Sequence, residues 1–171
     1  MTELKDKTLY VSHKIAIYAG GCFWGVEHLM EKQNGVIEVE SGYIGGSIKD
    51  PTYEIICTGV SGHAEAVRVT FNPELINYET LAKLFFEIHD PTQYNKQGPD
   101  IGDQYRSGIF YMNEEQAGIA RDLLGQLSAR GLRIATEVRE ATEFYEAEDY
   151  HQDYYFNNGK MPYCHSYTKR F

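Results

Sequence analysis

The stretch Lys14-Ile-Ala-Ile-Tyr-Ala-Gly-Gly-Cys-Phe-Trp-Gly-Val-Glu-His-Leu-Met30 decides the fold, because its period changes half-way along. Lys14 to Ala19 is apolar and Ile-rich, the composition of a buried strand, and Gly20-Gly21 stops it. Phe23, Trp24, Val26, Leu29 and Met30 then recur at near-helical spacing, with Glu27, Glu31 and Lys32 on the other side. A helix therefore starts close to Cys22 and ends at Asn34-Gly35.

Outward from this unit, Val36 to Tyr43 alternates as a second strand, and Gly45-Gly46 to Pro51 is a turn-rich loop. Ala64 to Phe71 alternates clearly as a third strand. Tyr78 to His89 is an amphipathic helix stopped by Asp90-Pro91. A long loop to Arg106 follows, of a length that compact domains keep for functional segments. Ser107 to Tyr111 is a fourth strand, Glu114 to Arg130 a helix and Arg133 to Arg139 a short fifth strand; the aromatic tail after Tyr145 is expected to be irregular and to wrap the surface. The order β-α-β-β-α-β is the split βαβ plan of a two-layer ferredoxin-like α+β sandwich, with an added helix and strand. One catalytic domain over residues 14–171, preceded by an N-terminal extension over 1–13, is the expected organisation.

The 171 residues include 16 Lys and Arg against 25 Asp and Glu, a net charge of −9, with the cations scattered. That argues against nucleic acid and against acidic membrane surfaces as partners. No run approaches the roughly 18 apolar residues of a membrane span, and Met1 to His13 has no apolar core of a secretory signal. A cytoplasmic location is the expectation. Three cysteines, Cys22, Cys57 and Cys164, are too few and too far apart for a disulfide framework and leave room for redox or catalytic thiols. Fourteen tyrosines suggest a pocket that uses hydroxyl donors.

Cys22 falls at the turn from strand to helix, where unpaired N–H groups and the positive end of the helix dipole favour a nucleophilic thiolate. Gly21-Cys-Phe-Trp-Gly25 is also the five-residue signature of the A-type peptide methionine sulfoxide reductases, and the resemblance continues in order. Gly42-Tyr-Ile-Gly-Gly46, Tyr53, Gly62-His-Ala-Glu-Ala66, His89-Asp-Pro-Thr-Gln93 and Asp100-Ile-Gly-Asp-Gln-Tyr-Arg-Ser107 resemble its further motifs, so that the likeness runs from about Lys14 to Pro162-Tyr-Cys164.

This resemblance implies an enzyme that reduces the S epimer of methionine sulfoxide, free or in proteins, in protein repair and the response to oxidative stress. It implies Cys22 as nucleophile, Glu65 as the protonated acid, Tyr53 and Tyr105 as hydrogen-bond donors to the sulfoxide oxygen, and Asp100 as a carboxylate assisting the thiol steps. Phe23 and Trp24 would cage the substrate methyl. Strand alternation taken alone leans toward an outward-facing Glu65. Cys164 is where many members carry a recycling cysteine, which would resolve the Cys22 sulfenic acid into a disulfide that thioredoxin or another dithiol opens. Cys57, in an apolar run, is expected to be buried and inert, and His63 and His89 to be structural; His151 and His165 carry little signal. No metal or bound cofactor is implied, and the protein is expected to act as a monomer.

Three rivals differ in chemistry. A papain-like hydrolase would use Cys22 with His63 but lacks the local C-G-x-C pattern. A zinc deaminase would use His63-Ala-Glu65 but lacks P-C-x-x-C. A non-enzymatic redox sensor would oxidise Cys22 without turnover of sulfoxide.

Overall fold

The computed structural model describes residues 12–163 and 165–171. Strand β1 (Lys14–Gly20) leads into helix α1 (Phe23–Glu31), followed by β2 (Val36–Ile44), α2 (Tyr53–Cys57), β3 (Ala64–Phe71) and α3 (Tyr78–Ile88). Two-residue strands β4 (Lys96–Gln97) and β5 (Asp100–Ile101) then precede β6 (Ser107–Tyr111), α4 (Glu114–Ala129), β7 (Glu137–Glu140), β8 (Tyr145–Glu146) and α5 (Tyr154–Asn158). The main sheet runs β7-β6-β1-β3-β2-β8. Its inner order, β6-β1-β3-β2 with β1 antiparallel to both neighbours, is the expected split βαβ core. Helix α4 adds β7 parallel to β6 at one edge, and β8 extends the other.

Period-2 alternation explains the two faces. Ala16 and Tyr18 of β1 and Val67, Val69 and Phe71 of β3 pack under α1, α3 and α4 together with Met30, Leu81, Phe85 and Leu123. Ile17, Ala19, Ala64, Ala66 and Phe110 form a smaller cluster on the opposite face, where Phe144 covers them. The helices begin at polar caps: the Asn77 side chain accepts from Thr80 N at 2.8 Å for α3, and Asn113 from Gln116 N at 2.9 Å for α4. Among the described residues no helix is long and apolar enough to cross a membrane.

The departures from the sequence reading have local causes. Helix α2 has five residues, capped by Thr52 accepting from Ile55 N, and is too short to show a period. The long loop contains the β4–β5 pair and a 3-10 turn, Asp103–Tyr105. The fifth strand, expected from Arg133, begins at Glu137, because Ala135 N donates to Pro91 O instead of to the sheet. The tail is not simply irregular: it contributes β8, a 3-10 turn at Asp149–His151 and α5. Glu27, assigned to the polar side of α1, is 1% exposed because the tail packs over that side.

Phe85 is fully buried and stacks on Tyr18 with ring centroids 5.0 Å apart. Phe85→Ala is expected to lower unfolding free energy by about 3–5 kcal/mol, measured by denaturant titration.

Candidate active site

Cys22 occupies the N-cap position of α1 and is 6% exposed, and its side chain makes no capping bond. Gly21 before it has φ +91°, and a Cβ there would lie 2.6 Å from that of Gln97, so only glycine allows the chain to turn so tightly. The first amide of the helix finds its partner across the sheet: Phe23 N donates to Glu65 Oε1 at 3.3 Å.

Glu65 lies one residue into β3, on the same face as Val67 and Val69, and is 2% exposed. It therefore points inward and not outward as expected, because it is in phase with Val67, Val69 and Phe71, whose face of the sheet lies under the helices. Burial, then the Cys22 charge, raise its pKa well above 4.5; the Phe23 amide opposes this and Asp100 adds to it. The carboxyl is thus held protonated beside the sulfur.

Two tyrosines complete the cluster. Tyr53 opens α2, and Tyr105 ends the 3-10 turn that follows Gly102. Burial is the first cause that raises both phenols; the charges of Glu65 and Cys22 reach each of them, and Asp100 reaches Tyr105. Both remain hydroxyl donors over the range of ordinary pH. Asp100, on β5, accepts from Tyr163 OH at 3.3 Å. The structure thus brings together Cys22, Phe23, Trp24, Tyr53, Glu65, Asp100 and Tyr105 from five segments. Cys164 lies outside the described residues.

Other groups were less legible. His151 is buried and touches Phe23, Trp24, Tyr53 and Tyr150 by ring contacts, the closest with ring centroids 4.0 Å apart. Trp24 Nε1 donates to its Nδ1 at 3.0 Å, and burial lowers its pKa, which favours the neutral acceptor ring. Tyr154 stacks flat on Trp24, centroids 3.6 Å apart. Glu148 accepts from Tyr53 N, Tyr43 OH and Tyr150 OH, fixing the start of α2. The one available signal was the density of aromatics in Tyr150-His-Gln-Asp-Tyr-Tyr155.

His63 and His89 are both tied into the fold by hydrogen bonds. His63 accepts from Gly46 N and contacts Ile48 O, while His89 is bracketed by Phe85 O and Ser107 Oγ. His165 contacts Gly20 O at 2.7 Å and fills the space where a Cβ on Gly25 would stand. Cys57 is not buried but exposed, since α2 turns only Ile56 fully inward, and its thiol is among the groups that raise the Tyr53 phenol. Among the described residues, the one group with spacing suited to a metal is Glu27, Glu31 and Asp153, with ligand atoms within 4.8 Å of one another, away from Cys22.

The model of the family described as peptide methionine sulfoxide reductase matches residues 14–171. A Deinococcus radiodurans protein named peptide methionine sulfoxide reductase MsrA is 52% identical over 152 residues, 87% of this chain and 74% of its own. The crystal structure of Mxr1 from Saccharomyces cerevisiae in reduced form superposes with a TM-score of 0.85 at 35% identity, covering 95% of this chain and 94% of that one. Mxr1 in complex with Trx2 matches at a TM-score of 0.62 and 27% identity, over 92% and 91%.

The raised Glu65 pKa has a consequence for stability. Above 4.5 the folded protein keeps a proton that the unfolded chain has released, so this group's contribution is present below 4.5 and is lost as pH rises through the raised value. Glu65→Gln, which cannot ionise, is expected to lose less stability than the parent as pH rises above the ordinary carboxyl range. Tm measured across that series checks it, and parallel curves would mean an ordinary carboxylate.

Proposed function

Because the chain belongs to the peptide methionine sulfoxide reductase family, and so is an oxidoreductase that reduces oxidised methionine, we propose that it acts on the S epimer through Cys22 and Glu65. The observation that carries this reading is the buried Glu65 carboxyl beside Cys22, with one oxygen accepting from Phe23 N. That leaves the other oxygen to hold a proton aimed at a substrate above the sulfur.

A sulfoxide sulfur becomes electrophilic when its oxygen is protonated, so the reaction needs a thiolate and an acid together. Glu65 gives its proton to the sulfoxide oxygen, with Tyr53 and Tyr105 donating hydrogen bonds to it, and the Cys22 sulfur attacks the substrate sulfur. The oxygen passes to Cys22 as sulfenic acid, and methionine leaves as the thioether. Phe23 and Trp24 receive the substrate methyl, which aromatic rings hold well beside sulfur. Asp100 assists the thiol steps from β5. The choice of S epimer rests on the motif resemblance.

The sulfenic acid is then reduced. The Cys164 thiol condenses with it, forming a Cys22–Cys164 disulfide and releasing water, and a dithiol opens that disulfide by exchange, becoming oxidised itself. Thioredoxin is the reductant this reading favours, in keeping with the Mxr1–Trx2 complex. No bound cofactor enters these steps. A reducing compartment such as the cytoplasm suits a free catalytic thiol, and a monomer with one site is sufficient for the chemistry.

Reduced protein should convert the S epimer of a blocked methionine sulfoxide, and not the R epimer, in a single turnover without added reductant. Mass spectrometry should then find a Cys22–Cys164 disulfide; a lone Cys22 sulfenic acid would remove Cys164 from the scheme, and product from the R epimer would remove the stereochemical assignment. Cys22→Ser should abolish this turnover, and Glu65→Gln should slow it by about 10²- to 10⁴-fold with binding largely kept. Cys164→Ser should spare the first reduction and block recycling by thioredoxin, read as burst without steady state.

A further inference from the structure

Trp24 is held from outside its own helix. Its indole N–H is bonded to His151 and its face is covered by Tyr154, so its orientation is set by the short segment between these residues. That segment passes through Asp153, which adopts a left-handed conformation, φ 50° and ψ 37°, uncommon for residues with a Cβ and best tolerated by Asp and Asn.

The surroundings form a closed polar ring. Gln152 pairs with both backbone groups of Ser41, accepting from its N at 2.9 Å and donating to its O at 2.8 Å. The Ser41 hydroxyl, itself fully buried, donates to Glu27 Oε2 at 2.6 Å. The Asp153 backbone N–H donates to Glu27 Oε1. Both oxygens of a side chain that is 1% exposed are thereby committed, one to the central sheet and one to the turn. A buried carboxyl is costly unless each oxygen is bonded, so it dictates where its two donors stand.

Glu27 follows Trp24 by three residues, on the neighbouring turn of the same stripe of α1. We infer that Glu27 is a positioning residue for Trp24: through Ser41 and the Asp153 amide it fixes the turn whose flanking residues, His151 and Tyr154, orient the indole. A loosened turn would let the indole swing away from Cys22. The consequence for catalysis rests on Trp24 forming part of the methyl cage, whereas the orientation of the indole does not. The effect belongs to substrate binding, because Glu27 touches neither Cys22 nor Glu65 by any hydrogen bond described above.

Trp24 is the only tryptophan in the chain, so its fluorescence reads the inference directly. Glu27→Leu, which keeps bulk and removes both bonds, should red-shift the Trp24 emission and lower its anisotropy. It should also raise KM for a methionine sulfoxide peptide by about fivefold or more, with the single-turnover maximal rate within about twofold of the parent. Glu27→Gln should restore both readouts, since its amide accepts from Asp153 N and donates to the Ser41 hydroxyl. Native emission in a folded Glu27→Leu protein overturns the inference. If that variant fails to fold, Ser41→Ala decides in the same way: a red shift supports the inference and native emission overturns it. Trp24→Phe separates the two readings, because a native KM there removes the cage while leaving the emission test of Glu27 intact.

Discussion

The site depends on one contact, the hydrogen bond from Phe23 N–H at the start of α1 to the Glu65 carboxyl at the start of β3. A helix N-terminus needs acceptors, and a buried carboxyl needs donors. Each satisfies the other, and the sulfur of Cys22 stands where they meet. The contact requires α1 to begin directly above β3, which follows from β1 lying beside β3 and turning sharply at Gly20-Gly21. The electrostatics follow from the same placement. Burial and the Cys22 charge raise the Glu65 pKa well above that of a free carboxyl.

Around this contact the molecule separates support from chemistry. The sheet and the helices α1, α3 and α4 enclose the apolar core, while the candidate site residues come from element ends and short loops. Four histidines here join separate segments of the chain. His63 ties the Gly46 turn, His89 joins α3 to β6, His151 receives the Trp24 indole and His165 packs on the turn before Cys22. Each is a planar, two-ended polar group that bridges segments far apart in sequence. Glu148 plays a comparable part for α2, gathering two phenols and one amide.

Much of this could be read from the chain beforehand, for reasons that differ by element. β3 and β6 match their expected bounds because alternation is strict and Asn72-Pro73 or a capped helix follows at once. α2 was hidden since five residues span little more than one turn. Glu27 looked solvent-facing because the helical stripe shows one apolar side, and nothing local reveals that the tail will cover the other. Cys57 looked buried because Ile55 and Ile56 precede it, yet α2 packs only Ile56 against the core.

The sequence by itself determined the order of elements, the ferredoxin-like core and the turn that presents Cys22, since period, glycine placement and capping act over a few residues. The family signature, also written in the chain, pointed to the candidate residues of the site. Only the tertiary structure decided that Glu65 faces inward with a raised pKa, that Tyr53 and Tyr105 lie within electrostatic reach of Cys22 and Asp100 within reach of Glu65, and that His151, Tyr154 and Glu27 stand behind Trp24. Those outcomes arise from desolvation and from contacts between residues 31 to 130 positions apart. Such contacts are set by how the sheet and tail close on one another, which no local pattern encodes.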